Sequence, residues 1–244
     1  MTLPVFLSAD VTGATAGSLV VLEGDEGRHA AVVRRVRAGE RVVLTDGGGT
    51  AATCEVVGTS RSGLTATVTS VSVTAREEPE ITVVQAIPKG DRGELAVEML
   101  TEVGVDRIVP WAAARCVAVW RGDRLEKALT KWRATSREAA KQARRAWFPS
   151  VSGVASTPDV ADLLSGADLA VVLHEAATAP LADLSVAQAR SVVVVVGPEG
   201  GLTDEELAAF DGAQVVRLGS SVLRTSTAGV AAVAALLART PRWR

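Results

Sequence analysis

A glycine-rich segment with one carboxylate follows an apolar run. Residues 197–203 read GPEGGLT and come directly after five consecutive valines at 192–196. A run that is apolar on both faces is typical of a central parallel strand, and glycines at its carboxyl end let a ligand approach the backbone. Thr203 and Glu206 have the spacing of a capping box, which predicts a helix after the loop. A ligand site and a plain strand-to-helix turn both fit this pattern.

The composition of this loop narrows the class of ligand. It matches neither the G-x-G-x-x-G dinucleotide motif nor a P-loop with its Lys-Ser/Thr pair. Glu199 also puts negative charge where a phosphate would need N–H groups and cations. A ligand that is cationic or offers hydroxyl donors fits better. S-adenosylmethionine has a sulfonium, a ribose and no phosphate, so the loop favours it over NAD or ATP.

A second loop, at residues 217–228, also follows a predicted strand and opens a predicted helix. It contains Gly219, and its Ser and Thr residues can satisfy the first N–H groups of the helix. Two loops of this kind at strand ends make one shared pocket the expected arrangement.

The elements that must position these loops alternate between strands and helices. This alternation predicts an α/β layer structure with a mostly parallel sheet. Strands are predicted at 81–87, 107–111, 169–173, 191–196 and 214–218, and helices at 93–103, about 124–146, 203–211 and about 224–238.

The N-terminal part follows a different pattern. Short Val- and Thr-rich segments separated by Gly-containing turns predict many short strands and indicate a small β-barrel. These strands are predicted at 5–7, 18–22, 40–44, 51–57 and 64–73. The polar, Pro-containing segment 75–80 is the predicted linker. Residues 1–75 are therefore the predicted barrel domain and residues 80–244 the predicted α/β domain.

Composition excludes several classes of protein. The 244 residues are 48% apolar with a formal charge of −2, which excludes disorder. The N-terminus does not resemble a signal peptide, and the apolar stretch 228–238 is far shorter than the roughly 20 residues of a membrane span. Cys54 and Cys116 form neither a disulfide framework nor a metal-ligand pattern, so we expect a reduced cytosolic compartment and no metal. The small charge and 3% aromatic content alone favour a small-molecule substrate over nucleic acid.

The small net charge conceals a basic segment. Residues 121–145 carry nine cations and three acids. Four of these cations have the spacing of one helical stripe: Arg133, Arg137, Lys141 and Arg144. The predicted barrel adds three further candidates for RNA contact: Arg28, Arg34 and Arg35. Such cations contact phosphates and make RNA binding salt-dependent, although a solvated helix face has the same pattern.

Taken together, the two loops resemble those of the RsmE family of SPOUT methyltransferases. Similar segments cover nearly the whole chain: QAIPKG at 85–90, EVGV at 102–105, KWR at 131–133, EAAKQARR at 138–145, and in the N-terminal part His29, RRV at 34–36 and DG at 46–47. Members of that family methylate N3 of a uridine in 16S ribosomal RNA. The chain departs from many relatives at Ser226, where they carry Glu, so no role of that acid carries over.

The resemblance implies a fold, a cofactor and partners. The fold is an α/β trefoil-knot methyltransferase domain preceded by a small PUA-like β-barrel. The methyl donor is S-adenosylmethionine, the substrate is 16S rRNA of the small ribosomal subunit, and the protein is a cytoplasmic homodimer. The implied cofactor-binding residues are Leu173, His174, Glu175, Gly197, Gly200, Gly201, Leu218, Gly219, Leu223, Thr227 and Ala228. Taken alone, His174 fits a capping or core histidine better.

Methyl transfer to uracil N3 requires loss of its proton, which is assisted by a base or by a cation that stabilises the uracil anion. Glu199 is the candidate base or sulfonium partner. Lys89 and Arg224 are the candidate anion stabilisers, and Arg224 fits a helix-start ion pair or a phosphate contact equally well. Two competing hypotheses are a non-catalytic ribosome-assembly factor on the same fold and a nucleotide-dependent α/β enzyme. The composition of the glycine loop argues against the second.

Overall fold

The computed structural model describes residues 3–243 and divides into two compact units. The N-terminal unit contains the chain up to Arg76 together with the segment Lys141–Phe148. The C-terminal unit contains Glu77–Ala140 and the chain from Pro149 onward. The sequence pattern gave no indication that a segment beyond residue 140 packs with the first unit.

The N-terminal unit is built on one five-stranded sheet with the strand order β1-β3-β4-β5-β2. Its elements are β1 (Val5–Leu7), β2 (Leu19–Leu22), α1 (Gly24–Arg28), a π-helical turn (His29–Val33), β3 (Arg41–Thr45), β4 (Thr50–Thr59) and β5 (Leu64–Val73). The pair β1 and β3 is parallel, and the other pairs are antiparallel. All five predicted strands are present within a residue or two, whereas α1 and the π-helical turn were not predicted.

Alternate side chains of these strands form the core of the N-terminal unit. Val42 and Leu44 of β3 are fully buried, and Cys54 and Val56 of β4 point to the same core. Because successive side chains of a strand point to opposite faces, residues two apart share one face, which here is the buried one. Burial raises the pKa of the Cys54 thiol to about 11, so this thiol stays protonated at neutral pH and acts as a small apolar side chain.

Segment 141–148 is held in the N-terminal unit by polar contacts. Lys141 Nζ lies 2.6 Å from Glu26 Oε1, and only 5% of the lysine side chain is exposed. Trp147 Nε1 donates a hydrogen bond of 2.9 Å to the main-chain oxygen of Thr74. These contacts explain why the segment packs with the N-terminal unit, although the residues directly before it in the chain belong to the C-terminal unit.

The C-terminal unit contains one six-stranded parallel sheet with the strand order β11-β9-β10-β6-β7-β8. Its strands are β6 (Glu80–Ala86), β7 (Arg107–Trp111), β8 (Ser150–Val151), β9 (Leu169–Leu173), β10 (Ser191–Val196) and β11 (Gln214–Val216). Its helices are α2 (Arg92–Val103), α3 (Asp123–Gln142), α4 (Thr157–Ser165), α5 (Asp204–Ala209) and α6 (Thr225–Leu237). The last two residues of α3, Lys141 and Gln142, belong to the N-terminal unit. The predicted parallel α/β architecture is confirmed, and the knot implied by the family resemblance stays a prediction.

The consecutive valines of β10 contribute to the apolar layers on both sides of the sheet. Val192, Val194 and Val196 pack in a core with residues of α2 and α6. Val193 and Val195 pack in a second core with residues of α4 and α5. On the first face α6 approaches closely at Gly229, where a Cβ atom would lie 3.2 Å from Val196 Cγ2.

The basic helix is shorter than predicted. α3 ends at Gln142 instead of about residue 146, because the chain turns at Arg144, whose φ of 55° is left-handed. Arg144 Nη2 donates to the main-chain oxygen of Leu3 at 3.2 Å. Because Arg144 lies outside the helix and Lys141 is buried, the predicted stripe of four exposed helical cations is wrong at these two positions. Arg133 and Arg137 are exposed on α3.

Arg242 ties the end of the chain to the start of the C-terminal unit. Its side chain is 7% exposed, and its Nη1 lies 2.7 Å from Asp106 Oδ2. The guanidinium also donates to the main-chain oxygens of Pro79 at 2.7 Å and Gly104 at 2.8 Å. Asp106 in turn accepts the N–H of Ile81 at 2.9 Å. The buried charges are therefore compensated by each other and by main-chain groups of three segments.

We expect Arg242→Ala to lower the free energy of unfolding by about 3–5 kcal/mol, because it removes a buried guanidinium that pairs with Asp106 and bonds two main-chain oxygens. The control is Arg239→Ala, which removes an exposed arginine three residues earlier and should change the free energy by less than about 0.5 kcal/mol. Urea unfolding followed by tryptophan fluorescence measures both values. Equal effects of the two substitutions would contradict this role of Arg242.

Candidate active site

A cavity of about 510 Å³ lies at the carboxyl ends of β9, β10 and β11 and the start of α6. Ligands bind at this edge of open parallel sheets because the loops that leave the strands converge there. Most of the predicted site residues line it: Leu173, His174, Glu175, Gly197, Glu199, Gly201, Leu218, Gly219, Leu223, Arg224 and Ala228.

Three predicted site residues do not line the cavity. Gly200 faces away from it, since a Cβ atom there would lie 3.0 Å from Arg115 Cβ. The Thr227 hydroxyl donates to the main-chain oxygen of Arg224 at 3.1 Å. Lys89 meets the site through its main chain, because its N–H donates to Glu199 Oε1 at 3.4 Å.

The two loops depend on glycine at positions with left-handed backbone. Gly201 has a φ of 73° and Gly219 a φ of 122°, conformations that are strained for residues with a Cβ atom. After Gly201, Thr203 Oγ1 accepts the N–H of Glu206 at 3.2 Å and Glu206 Oε2 accepts the N–H of Thr203 at 2.9 Å. The predicted capping box is confirmed, and it fixes where the loop ends and α5 begins.

The glycine loop is held from the side by the segment that follows β7. Arg115 Nη1 donates to the main-chain oxygens of Gly200 and Leu202, each at 3.1 Å. Ala114 N–H donates to the remaining carboxylate oxygen of Glu206 at 2.7 Å. Sequence reasoning missed Arg115, since its partners lie more than 80 residues away in the chain and no local pattern links them.

Glu199 lies where three segments meet. Its Oε1 accepts a hydrogen bond from Thr225 Oγ1 at 3.2 Å as well as the one from the Lys89 N–H. The carboxylate therefore joins the loop after β10 to the segment after β6 and to the first turn of α6. Because Glu199 is exposed and lines the cavity, its second oxygen can reach a ligand there.

His174 and Glu175 line the cavity at the end of β9. His174 Nδ1 accepts the N–H of Ala176 at 3.2 Å, so this ring caps a turn and also lines the cavity. Glu175 Oε1 lies 3.6 Å from the position that a Cβ atom of Gly201 would take. The cavity thus has two carboxylates, Glu175 and Glu199, and no phosphate-binding motif.

The structure adds cavity residues that the sequence did not single out. The charged ones are Arg92 at the start of α2 and Arg217 after β11. The hydroxyl-bearing ones are Ser220, Ser221 and Thr225. In residues 3–243, no three His, Cys, Asp or Glu side chains cluster as a metal site would require, and no helix is long and apolar enough to cross a bilayer.

Two family models match the chain in the order of its two units. A PUA domain of RNA methyltransferases matches residues 22–69, and an RNA methyltransferase domain matches residues 76–237. "Ribosomal RNA small subunit methyltransferase E" of Mycobacterium bovis is 49% identical over 233 residues, which cover 93% of this chain and 89% of that protein. The chain belongs to the ribosomal RNA small subunit methyltransferase E family. The Bacillus subtilis protein of the same name is 30% identical over 88% of both chains.

Two solved methyltransferase structures have the same fold over nearly the full length of the chain. The Neisseria gonorrhoeae protein, bound to S-adenosylmethionine, is 29% identical with a TM-score of 0.87, covering 97% of this chain and 98% of that one. A Legionella pneumophila methyltransferase in complex with the same cofactor is 27% identical with a TM-score of 0.89, covering 98% and 99%.

Three buried side-chain oxygens of this methyltransferase E homologue have no hydrogen-bond partner within residues 3–243. They are Gln85 Oε1, at the end of β6, Ser226 Oγ, in the first turn of α6, and Glu94 Oε2, in α2. Ser226 is 2% exposed and Gln85 is fully buried. An unpaired buried polar group costs about 1–3 kcal/mol, so the Ser226 hydroxyl does not stabilise the fold. Gln85 is paired in part, because its Nε2 donates to the main-chain oxygen of Ala86 at 3.1 Å.

We expect Ser226→Ala to raise the free energy of unfolding by about 1 kcal/mol, because it removes an unpaired buried hydroxyl with little change in volume. The contrast is Thr225→Ala, which removes a hydroxyl that is bonded to Glu199 and should lower the free energy by about 1 kcal/mol. Urea unfolding of both variants measures the difference. A loss of stability in Ser226→Ala would show that its hydroxyl has a partner in solution.

Proposed function

We propose that the chain is an enzyme that transfers a methyl group from S-adenosylmethionine to N3 of a uridine in 16S ribosomal RNA. The observation that carries the proposal is the cavity at the carboxyl ends of β9–β11, where Glu199 joins the two loops that resemble the donor site of this family. Membership of the methyltransferase E family and full-length similarity to donor-bound structures support it.

The residues that line the cavity fit this donor. The loops around Gly201 and Gly219 bring main-chain groups to the cavity, and Leu218, Leu223 and Ala228 give it apolar walls suited to an adenosine. The carboxylates of Glu175 and Glu199 favour a ligand with positive charge, as a sulfonium has. A dinucleotide or triphosphate would meet these two carboxylates without the motif that binds phosphates.

The proposed chemistry uses the charged groups of Glu199, Arg224 and Lys89. When bound, S-adenosylmethionine supplies a methyl group whose bond to sulfur breaks as its bond to N3 forms, leaving the electron pair on sulfur. The Glu199 carboxylate accepts the N3 proton and releases it to water. Arg224, which lines the cavity, stabilises the negative charge that develops on the uracil. The same role for the Lys89 ammonium stays a prediction, since Lys89 meets the site through its main chain.

RNA binding is proposed for exposed arginines in each unit, considered separately. In the N-terminal unit, Arg28, Arg34 and Arg35 lie in and directly after the α1 and π-helical segment and are exposed. In the C-terminal unit, Arg133 and Arg137 are exposed on α3. Such side chains contact phosphates and contribute affinity without reading sequence. Lys141 is instead paired with Glu26, so substitution of Lys141 should lower the free energy of unfolding.

We also propose that the enzyme acts as a homodimer in the cytoplasm. Exposed apolar side chains in the segment after β7 support association through the C-terminal unit: Val117 is 65% exposed and Val119 is 58% exposed. Light scattering with size-exclusion chromatography tests this proposal, and a monomer at micromolar concentration would contradict it.

The decisive experiment for the function is nucleoside analysis of 16S rRNA by mass spectrometry in a strain that lacks the gene. We expect N3-methyluridine to disappear and to return when the wild-type gene is restored. Unchanged N3-methyluridine would overturn the enzyme and favour the alternative of an assembly factor that binds the ribosomal subunit without catalysis.

We expect Glu199→Gln to lower kcat for methylation of small-subunit RNA by about 10²-fold to 10⁴-fold, because the amide cannot accept the N3 proton. The control is Glu98→Gln, which neutralises an exposed carboxylate of α2 outside the cavity. Transfer of labelled methyl groups under single-turnover conditions measures both rates. If Glu199→Gln retains the wild-type rate, Glu199 is not the base.

We expect the double substitution Arg34→Gln and Arg35→Gln to weaken RNA binding and to reduce the slope of log affinity against log salt by about 1.5, since two phosphate contacts are lost. Arg61→Gln is the matched control, because Arg61 is an exposed arginine in the turn between β4 and β5 of the same unit. Filter binding at several salt concentrations measures the slopes. Equal slopes for the double variant and the control would remove these two arginines from the RNA contact.

A further inference from the structure

Arg92 is a charged side chain of the cavity that the sequence did not single out. It is the first residue of α2, it is half-buried, and it lines the same cavity as Glu199 and Arg224. Within residues 3–243 its guanidinium has no hydrogen bond and no ion pair. A half-buried, unpaired guanidinium that faces a cavity has its donors available to a ligand.

Helix stability does not explain an arginine at this position. The N-terminal end of a helix carries partial positive charge, so a cation there is unfavourable and an acid favourable. Glu94, the acid in the first turn of α2, pairs with Lys131 at 3.0 Å. The charge of Arg92 is thus opposed by the helix dipole and is not neutralised by the acid of its own first turn.

The backbone places Arg92 close to the proposed base. Lys89, three residues earlier, donates its N–H to Glu199 Oε1 at 3.4 Å, so the turn that opens α2 adjoins Glu199. In uracil, N3 lies between two carbonyl groups, and loss of its proton spreads negative charge onto both oxygens. A group that approaches N3 from beside the base therefore meets one of these oxygens. A guanidinium, with several fixed N–H donors, suits such an anion.

We propose that Arg92 is a catalytic residue that donates hydrogen bonds to a uracil carbonyl oxygen next to N3 and stabilises the deprotonated ring. This role rests on the proposed function. The N3 proton passes to Glu199, the N3 electron pair forms the new N–C bond, and the electron pair of the broken S–C bond stays on sulfur. Arg92 undergoes no change of bonding or protonation, and it lowers the energy of the anion formed between proton loss and methyl transfer.

The test compares Arg92→Ala and Arg92→Lys with the wild type. The matched control is Arg239→Ala, which removes an exposed arginine that lies outside the cavity. For Arg92→Ala we expect kcat at neutral pH to fall by about 10²-fold to 10³-fold, while KM for the RNA changes less than about threefold. The defect should shrink as the pH rises above the pKa of the uracil N3–H. Arg92→Lys should recover part of the rate, because it keeps the charge but not the planar set of donors.

A second readout does not depend on turnover. In the absence of donor, wild-type protein should bind a uridine-containing target fragment more tightly above the pKa of N3–H than below it, because Arg92 favours the anion. Arg92→Ala should reduce this pH dependence and leave only the part that Arg224 supplies, while Arg239→Ala keeps it in full. Thermal unfolding and donor calorimetry on each variant establish that the fold and the donor site are intact.

The outcomes separate this role from the proposed function. If the wild type forms no N3-methyluridine, the proposed function and the role of Arg92 are both overturned. If the wild type is active and Arg92→Ala raises KM and lowers the salt slope with an unchanged pH profile, Arg92 is a phosphate contact and the catalytic role is overturned alone. Wild-type activity in Arg92→Ala would also overturn it alone.

Discussion

Burial of β10 on both faces is the constraint on which the C-terminal unit depends. Its valines contribute to the apolar layers on each side of the sheet, so the strand must lie in the interior with helices on both faces. It pairs with β9 and β6, and all three strands run parallel. Their carboxyl ends therefore meet at one edge, and the loops that leave them must converge. The cavity is a consequence of this sheet before any ligand-binding residue is considered.

Polar contacts hold the loops at this edge in addition to the apolar packing of Leu202 and Leu218. Arg115 bonds two main-chain oxygens of the glycine loop, and Glu206 joins the start of α5 to the segment after β7. Glu199 joins the same loop to α6 through Thr225. Each contact fixes backbone while leaving the cavity face open. Such preorganisation places donors and charges before substrate arrives, which is how polar groups stabilise a transition state most effectively.

Much of the fold and part of the site could be predicted from the sequence because their causes are local. Short stretches of neighbouring residues predicted the central strand β10, the capping box of Thr203 and Glu206, and the glycine turns of both loops. The structure contains all three features. α4 was missed although a local signal marks its start, the capping box of Ser156 and Asp159. The roles of Arg115 and Lys141 were not predictable, since their partners are distant in sequence. The small net charge wrongly favoured a small-molecule substrate over nucleic acid, because the positive charge of the basic segment is offset by acids elsewhere in the chain.

The central claim is that the two loops form the donor site and that Glu199 marks the end of it where transfer occurs. A crystal structure of this chain with S-adenosylmethionine tests the claim most directly. We expect an adenosine enclosed by residues 197–203 and 217–228, with the sulfonium methyl group directed toward Glu199 and Arg92. A donor bound outside this cavity, or one whose methyl group points away from Glu199, would contradict it.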